Sequence, residues 1–178
     1  MRQEEKTTAN DSLEKLTMKL ETTYWFCNDD EVSSFDIPPS SSDVVVFNPE
    51  VNLFKLESGD FQVTQMGCFK VILSGPGYIL IRRDIAKFLQ GTLSNALCER
   101  EVTIIRRVTS EEWNNYSEIS INEKIEFENY NEFKAEGMQI YTMLGSLIYV
   151  SAELKNQLIK HFPDLNGIAF KQGFPLMG

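Results

Sequence analysis

Thiols, imidazoles and focused carboxylate pairs carry much of the side-chain chemistry of soluble proteins, and this chain offers few of them. Cys27, Cys68 and Cys98 lie 41 and 30 residues apart with no CxxC pair, and His161 is the only histidine. A zinc site takes four nitrogen, sulfur or oxygen ligands, commonly in closely spaced pairs, so one imidazole and three scattered thiols do not predict one. No metal and no cofactor are expected. An odd number of unpaired cysteines reads as reduced thiols, and free cysteine behaves as a small hydrophobe, so buried structural roles are expected. His161 falls at the end of a helical stretch, where partial positive charge suits the helix dipole. Ser74-Gly75-Pro76-Gly77 lacks the GxGxxG spacing and the following lysine of a phosphate loop, and Pro76 removes an amide donor, so it reads as a tight turn. The GxSxG, HExxH and DxDxDG patterns are absent. The 26 acidic residues offer many carboxylate pairs but single none out. A small hydrolase or transferase using carboxylate or Cys chemistry stays as the alternative; the expectation is a protein that is not an enzyme.

The composition narrows the class of partner. Seventeen basic residues stand against 26 acidic ones in 178, a formal net charge of −9, which argues against general nucleic-acid binding. The apolar fraction of 42% is that of a globular chain. No apolar run approaches the ~18 residues of a membrane span, and the first residues lack the apolar core of a secretory signal. A cytoplasmic protein with no membrane association is expected.

Elements that would position a site follow from periodicity. Residues 1–12 read as a frayed tail, and 13–178 as a single domain with an exposed loop at 28–43, rich in turn formers and holding Pro38 and Pro39. Tyr24-Trp25-Phe26 reads as extended. Short apolar runs at 44–47, 51–56, 61–65 and 69–73 read as strands bounded by turn residues. Tyr78–Ile81 then runs straight into an amphipathic helix with Ile85, Phe88 and Leu89 on one stripe, stopping at Gly91. Sixty-nine residues later Leu147–Val150 does the same, with Ser151 as N-cap, Leu154, Leu158 and Phe162 on the stripe, and Pro163 as the stop. Each unit is followed by a further strand, at 102–105 and at 168–170. The expected fold is α+β: a mixed or mainly antiparallel sheet flanked by short helices, built around a duplicated strand-helix-strand unit.

Between the two units the charge changes sign. Residues 70–108 hold seven cations against three acids, whereas eight glutamates from Glu111 to Glu136 face Lys124 and Lys134 alone. Within 118–128, Ile119, Ile121, Ile125 and Phe127 alternate with Glu118, Ser120, Lys124, Glu126 and Glu128, so one face is expected buried and the other wet and acidic. Trp113, Tyr116 and Tyr130 are interleaved with these charges. An acidic face carrying aromatics suits a basic protein partner, with charge raising the on-rate and aromatics supplying affinity. The candidate partner-binding set is Glu111, Glu112, Trp113, Tyr116, Glu118, Glu126, Glu128 and Tyr130. The Arg82-Arg83 and Arg106-Arg107 pairs are expected to be taken up in ion pairs.

The segment 147–172 resembles the C-terminal part of bacterial immunity proteins from polymorphic-toxin and contact-dependent growth inhibition systems. It carries Val150-Ser151 at a strand-to-helix junction, Leu154 and Leu158 on the helix, Leu165 with Gly167 in a turn, and a last strand from Ile168 to Phe170. The run 78–91 with 99–119, including Tyr116, resembles the middle of such proteins, although Arg82 stands where a capping Ser belongs. The resemblance covers roughly residues 70–172. It implies a cytoplasmic neutraliser, monomeric in a 1:1 complex with a cognate toxin domain, a nuclease-type domain above all, and acting by masking the toxin active site.

The cysteine reading has a direct check. Titration of the denatured protein is expected to find three free thiols, and one thiol per chain would overturn the expectation of a reducing compartment.

Overall fold

A computed structural model describes residues 23–28, 50–126, 136–163 and 168–172. The tail at 1–12, most of the loop at 28–43, the run at 44–47, Glu128, Tyr130 and the Leu165–Gly167 turn lie outside the described residues.

Six strands form the larger sheet: β2 (Asn52–Lys55), β3 (Phe61–Gln65), β4 (Ile72–Gly75), β5 (Tyr78–Arg82), β6 (Leu97–Arg106) and β7 (Glu111–Ile121). Their order is β2-β3-β6-β7-β5-β4. All neighbours are antiparallel except β3 with β6, so the sheet is mixed. The smaller sheet is antiparallel, β10-β1-β9-β8, from β1 (Thr23–Asn28), β8 (Ile140–Met143), β9 (Leu147–Ser151) and β10 (Ile168–Gln172). Among the described residues there are two ten-residue helices, α1 (Arg83–Thr92) and α2 (Ala152–His161). Tyr24-Trp25-Phe26 is extended in β1, which sits between β9 and β10. The run expected at 69–73 forms a strand only from Ile72.

One core joins these parts. Ile72, Ile79, Ile81 and Ile119 of the larger sheet, Ile85 and Leu89 of α1, Ile148 and Val150 of the smaller sheet, and Leu154 and Leu158 of α2 form one buried cluster. Because both sheets and both helices contribute, the chain is a single α+β domain. The other face of the larger sheet curls over a second cluster of Phe61, Val63, Leu73, Tyr78, Leu80, Val102, Ile104 and Tyr116. Phe61 and Tyr78 are three strands apart in the order, which is about 14 Å in a flat sheet. Their rings nevertheless meet edge to face at 4.9 Å. Among the described residues, no helix is long and apolar enough to cross a membrane.

The two strand-helix units form as the periodicity demands, but in different sheets. β5 feeds α1 from the larger sheet and β9 feeds α2 from the smaller. Ser151 caps α2, accepting from Leu154 N at 3.3 Å and from Gln139 N at 3.1 Å, and donating to Gly137 O at 2.6 Å. Arg82 gives α1 no side-chain cap; its guanidinium forms a bidentate pair with Asp84 at 2.7 and 2.8 Å. Gly91 does not stop α1. The helix runs one residue further and closes where Leu93 N bonds Leu89 O. Pro76-Gly77 forms the tight β4–β5 turn, with Gly77 at φ +80°.

Ser151 serves three backbone groups at once. Ser151→Ala is therefore expected to cost about 2–3 kcal/mol, a lost cap plus unpaired buried groups. Asp84→Ala, at an exposed ion pair, is expected to cost under about 1 kcal/mol. Urea unfolding with unchanged m-values checks both; equal losses would mean that the Ser151 bonds contribute nothing beyond an ordinary surface pair.

Candidate functional site

β7 carries most of the residues singled out in the sequence. It pairs with β6 along its whole length, and with β5 only at Tyr116–Glu118. The β6–β7 pairing changes register once. Val102 faces Tyr116 and Ile104 faces Trp113, so Asn114 and Asn115 together oppose Thr103. Such a two-against-one bulge shifts the alternation by one residue. Trp113 and Tyr116, three apart, thereby fall on the same face.

Both aromatics turn inward there. Phe69 stacks on Trp113 at 4.5 Å and lies 6.2 Å from Tyr116. The Tyr116 hydroxyl donates to Lys70 O at 2.7 Å. These contacts pin the segment 66–71, which crosses from the β3 edge of the sheet to the β4 edge. Tyr116 is buried and Trp113 half-buried, so the expectation of Tyr116 on a wet face is corrected. Burial pushes the Tyr116 phenol up to about 12, and does the same for Tyr149.

The bulge is held from both sides. Arg83 Nη2 donates to Val102 O and Tyr116 O, each at 3.3 Å. Thr103 Oγ1 donates to Asn114 Oδ1 at 2.8 Å, and Thr103 N to Asp60 Oδ1 at 3.1 Å. Arg83 also contacts Glu101 at 3.4 Å, which Lys87 reaches at 2.7 Å. An open cleft lined by Arg82, Arg83, Asp84, Lys87 and Asn115 lies where α1 leaves β5. Its cations are already matched by Asp84 and Glu101.

Glu118 departs furthest from the sequence reading. It points away from Ile119 and Ile121, as alternation requires, but only 8% of it is exposed. Lys55 and Arg100 each bond one of its carboxylate oxygens at 2.5 Å. Arg100 Nη2 also donates to Gly59 O at 2.7 Å. Gly59 has φ +91°, and a Cβ there would lie 2.6 Å from the guanidinium, so the turn is shaped to the arginine. The wet-face assignment of Glu118 is thus wrong: the β2–β3 hairpin folds over that end of the face and brings Lys55 onto it. No local pattern in the sequence announces this, because Lys55 lies 63 residues from Glu118.

The remaining carboxylates sit at the two ends of β7. Glu111 bonds the Thr109 hydroxyl at 2.5 Å and Arg106 at 3.3 Å, and the hydroxyl first, then the guanidinium, hold its carboxyl below the usual range. Glu112 is exposed beside it. Glu126 is exposed beyond the far end, where Lys124 bridges Thr142 of β8. Ten steps of about 3.3 Å separate Glu111 from Ile121, roughly 30 Å. The predicted set is therefore not one face: Glu111 and Glu112 lie at one end, Trp113, Tyr116 and Glu118 are turned inward, and Glu126 lies at the other end.

Cys98 is exposed and Cys68 half-buried, both as free thiols, so burial is not the role of Cys98. His161 Nδ1 bonds Gln157 O of its own helix at 2.9 Å, and its ring packs on Phe88 of α1 at 4.5 Å. Cys98 pairs with Ser120 and shares the sheet face of Arg100, opposite the face that α1 covers. Thiol and imidazole are thus on opposite sides of the sheet. Among the described residues, no group of three or more His, Cys, Asp or Glu is placed to hold a metal ion.

Two measurements check this geometry. Removing the Glu118 charge leaves Lys55 and Arg100 facing each other without their shared anion. Their side chains are nearly half exposed, so water recovers part of the loss. Glu118→Gln is expected to lower stability by about 1–3 kcal/mol in urea unfolding, and much less in an Arg100→Met background. For Tyr116 and Tyr149, a raised folded pKa means that the neutral phenol is favoured in the folded state. Their contribution is fully present below the unfolded value of about 10 and is lost as pH rises toward 12. Burial raises the Tyr78 phenol as well, so tyrosinate absorbance should show at least these phenols resisting ionisation until the chain unfolds; a full normal titration with the fold intact would contradict their burial.

No protein-family model matches this chain, and neither a curated protein nor a solved structure matches it significantly.

Proposed function

We propose that this chain neutralises a basic protein partner by forming a stoichiometric complex, without catalysis of its own, in the manner of the immunity proteins that its second half resembles. One observation carries the reading: among the described residues most cations sit in ion pairs, with Arg107, Lys124 and Lys160 exposed outside them, whereas more of the carboxylates stay outside ion pairs than enter them. Lys55 and Arg100 serve Glu118, Arg82 serves Asp84, Arg83 and Lys87 serve Glu101, and Arg106 serves Glu111. Glu112, Glu123 and Glu126 are exposed and have no ion-pair partner among the described residues. With a net charge of −9, the field that reaches solvent is negative. Such a field speeds encounter with a cationic surface and opposes binding to nucleic acid directly.

A toxin domain that holds phosphate must present cations around its cleft. An acidic protein seated over that cleft matches its charge and occupies its volume. The complex is 1:1 and forms in the cytoplasm, with the toxin active site masked.

The test uses the C-terminal domain of the protein encoded immediately upstream. Co-expression is expected to restore growth, and the two chains should purify as one 1:1 complex. The association rate should fall as salt shortens the Debye length toward ~10 Å at 0.1 M. Glu112→Gln with Glu126→Gln is expected to slow association several-fold with little change in stability. Rescue at substoichiometric amounts, or a covalent change in the toxin, would show an enzyme instead.

A further inference from the structure

The β8–β9 hairpin breaks the conformational rules at its tip. Ser146 N bonds Met143 O at 3.3 Å across Leu144 and Gly145, whose φ values are +52° and +74°. Three residues, Leu144 to Ser146, join the paired Met143 and Leu147, and positive φ in such a loop is normally taken by Gly, Asn or Asp. Gly145 meets that demand. Leu144 does not, because in the left-handed region its Cβ crowds the following carbonyl. Burial offers no compensation, since the side chain is 70% exposed. A single exposed leucine is ordinary; one held in a disfavoured backbone conformation, and left exposed by the described residues, is not. The hairpin beneath is well anchored by Ile125, Tyr141, Met143 and Tyr149, so the tip is not a poorly folded end.

Acidic residues stand beside it. Ile125 N bonds Thr142 O at 2.8 Å and Thr142 N bonds Glu123 O at 3.0 Å, so 123–126 runs parallel to β8. With Lys124 opposite Thr142, two residues further brings Glu126 level with Leu144. Glu123 and Glu126 are exposed, as is Lys124 between them, so the segment keeps a net negative charge.

The geometry points to the Leu144 tip as a contact knob that seats in an apolar socket of the basic partner, with Glu126 and Glu123 engaging cations at the socket rim. This rests on the proposed function and assigns it a surface. The charge selects the occupant. A second copy would bring like carboxylates together, and an anionic lipid surface would repel them. Local strain kept at an exposed position is the pattern expected where a side chain serves recognition rather than folding.

Leu144→Asn places a residue that tolerates the left-handed region in the same turn, and Leu144→Gly serves as a second variant. Both are expected to unfold at a temperature equal to or up to about 2–4 °C above wild type, and to bind the upstream-encoded domain at least about tenfold more weakly, mainly through faster dissociation. Glu126→Gln should chiefly slow association. If wild type does not bind that domain, the proposed function and this inference fall together. If wild type binds and both Leu144 variants bind equally well, only this inference is overturned. Variants that melt well below wild type would make Leu144 structural, and a concentration-dependent dimer abolished by Leu144→Asn would make the tip a self-contact; either result overturns the proposal.

Discussion

The β6–β7 ribbon changes face once, where Asn114 and Asn115 stand against Thr103, and the larger sheet is arranged around that change. Without the extra residue Trp113 would point to the side opposite Tyr116, and the segment 66–71 would lose its ring stack with Phe69. A bulge leaves carbonyls that no ladder satisfies, and here Arg83 meets two of them from the first residue of α1. The helix start, the sheet register and the crossing segment are thereby tied at one point. This also accounts for Arg82-Arg83 at a position where a capping serine would be the ordinary choice. Arg83 is needed for the bulge, and Arg82 is tied to Asp84 of the same turn.

The same arrangement decides which charges remain for a partner. Glu118, on the ladder next to the bulge, is neutralised by two cations and excluded from solvent. Glu101, across the sheet, absorbs Arg83 and Lys87. A buried or paired carboxylate contributes little to the outward field, so the acidity open to solvent among the described residues comes from exposed carboxylates such as Glu57, Glu112, Glu123, Glu126, Glu136 and Glu153. Glu118 acts as a structural strut, and Glu112 and Glu126, beyond it on either side, stay exposed.

The fold was legible wherever the signal was local. Strand-to-helix junctions at 78–92 and 147–161, the Ser151 cap and the Pro76-Gly77 turn follow from periodicity and turn chemistry alone. Ile119, Ile121 and Ile125 were rightly expected inside. What failed depended on long-range partners. Alternation gives the face of Glu118, but not that Lys55 will be folded over it from 63 residues away. It also assumes an unbroken ladder, and the bulge that turns Trp113 inward has no sequence mark beyond two asparagines. A small hydrophobe reads as buried, yet Cys98 sits on a part of β6 that the described residues leave exposed. The eight candidate contact residues were one stretch of sequence, and the structure spreads its described members over two ends and an interior.

Among the described residues Arg82, Ser110 and Leu144 break local rules, and they differ in what compensates them. Arg82 leaves α1 without a side-chain cap, but the Arg82–Asp84 pair and the Asp84 bond to Ile85 N occupy that first turn. The departure is repaired within three residues, so it needs no partner outside the chain. Ser110, at φ +56° in the β6–β7 turn, is a small polar residue that departs less from the usual choice there. Leu144 has neither repair nor tolerance among the described residues: the backbone disfavours it, and its side chain is largely exposed. A chain that selects its sequence for stability alone would replace it with asparagine or glycine. At an anchored hairpin tip near the exposed Glu126, such a leucine is what the proposed contact with a protein partner would account for.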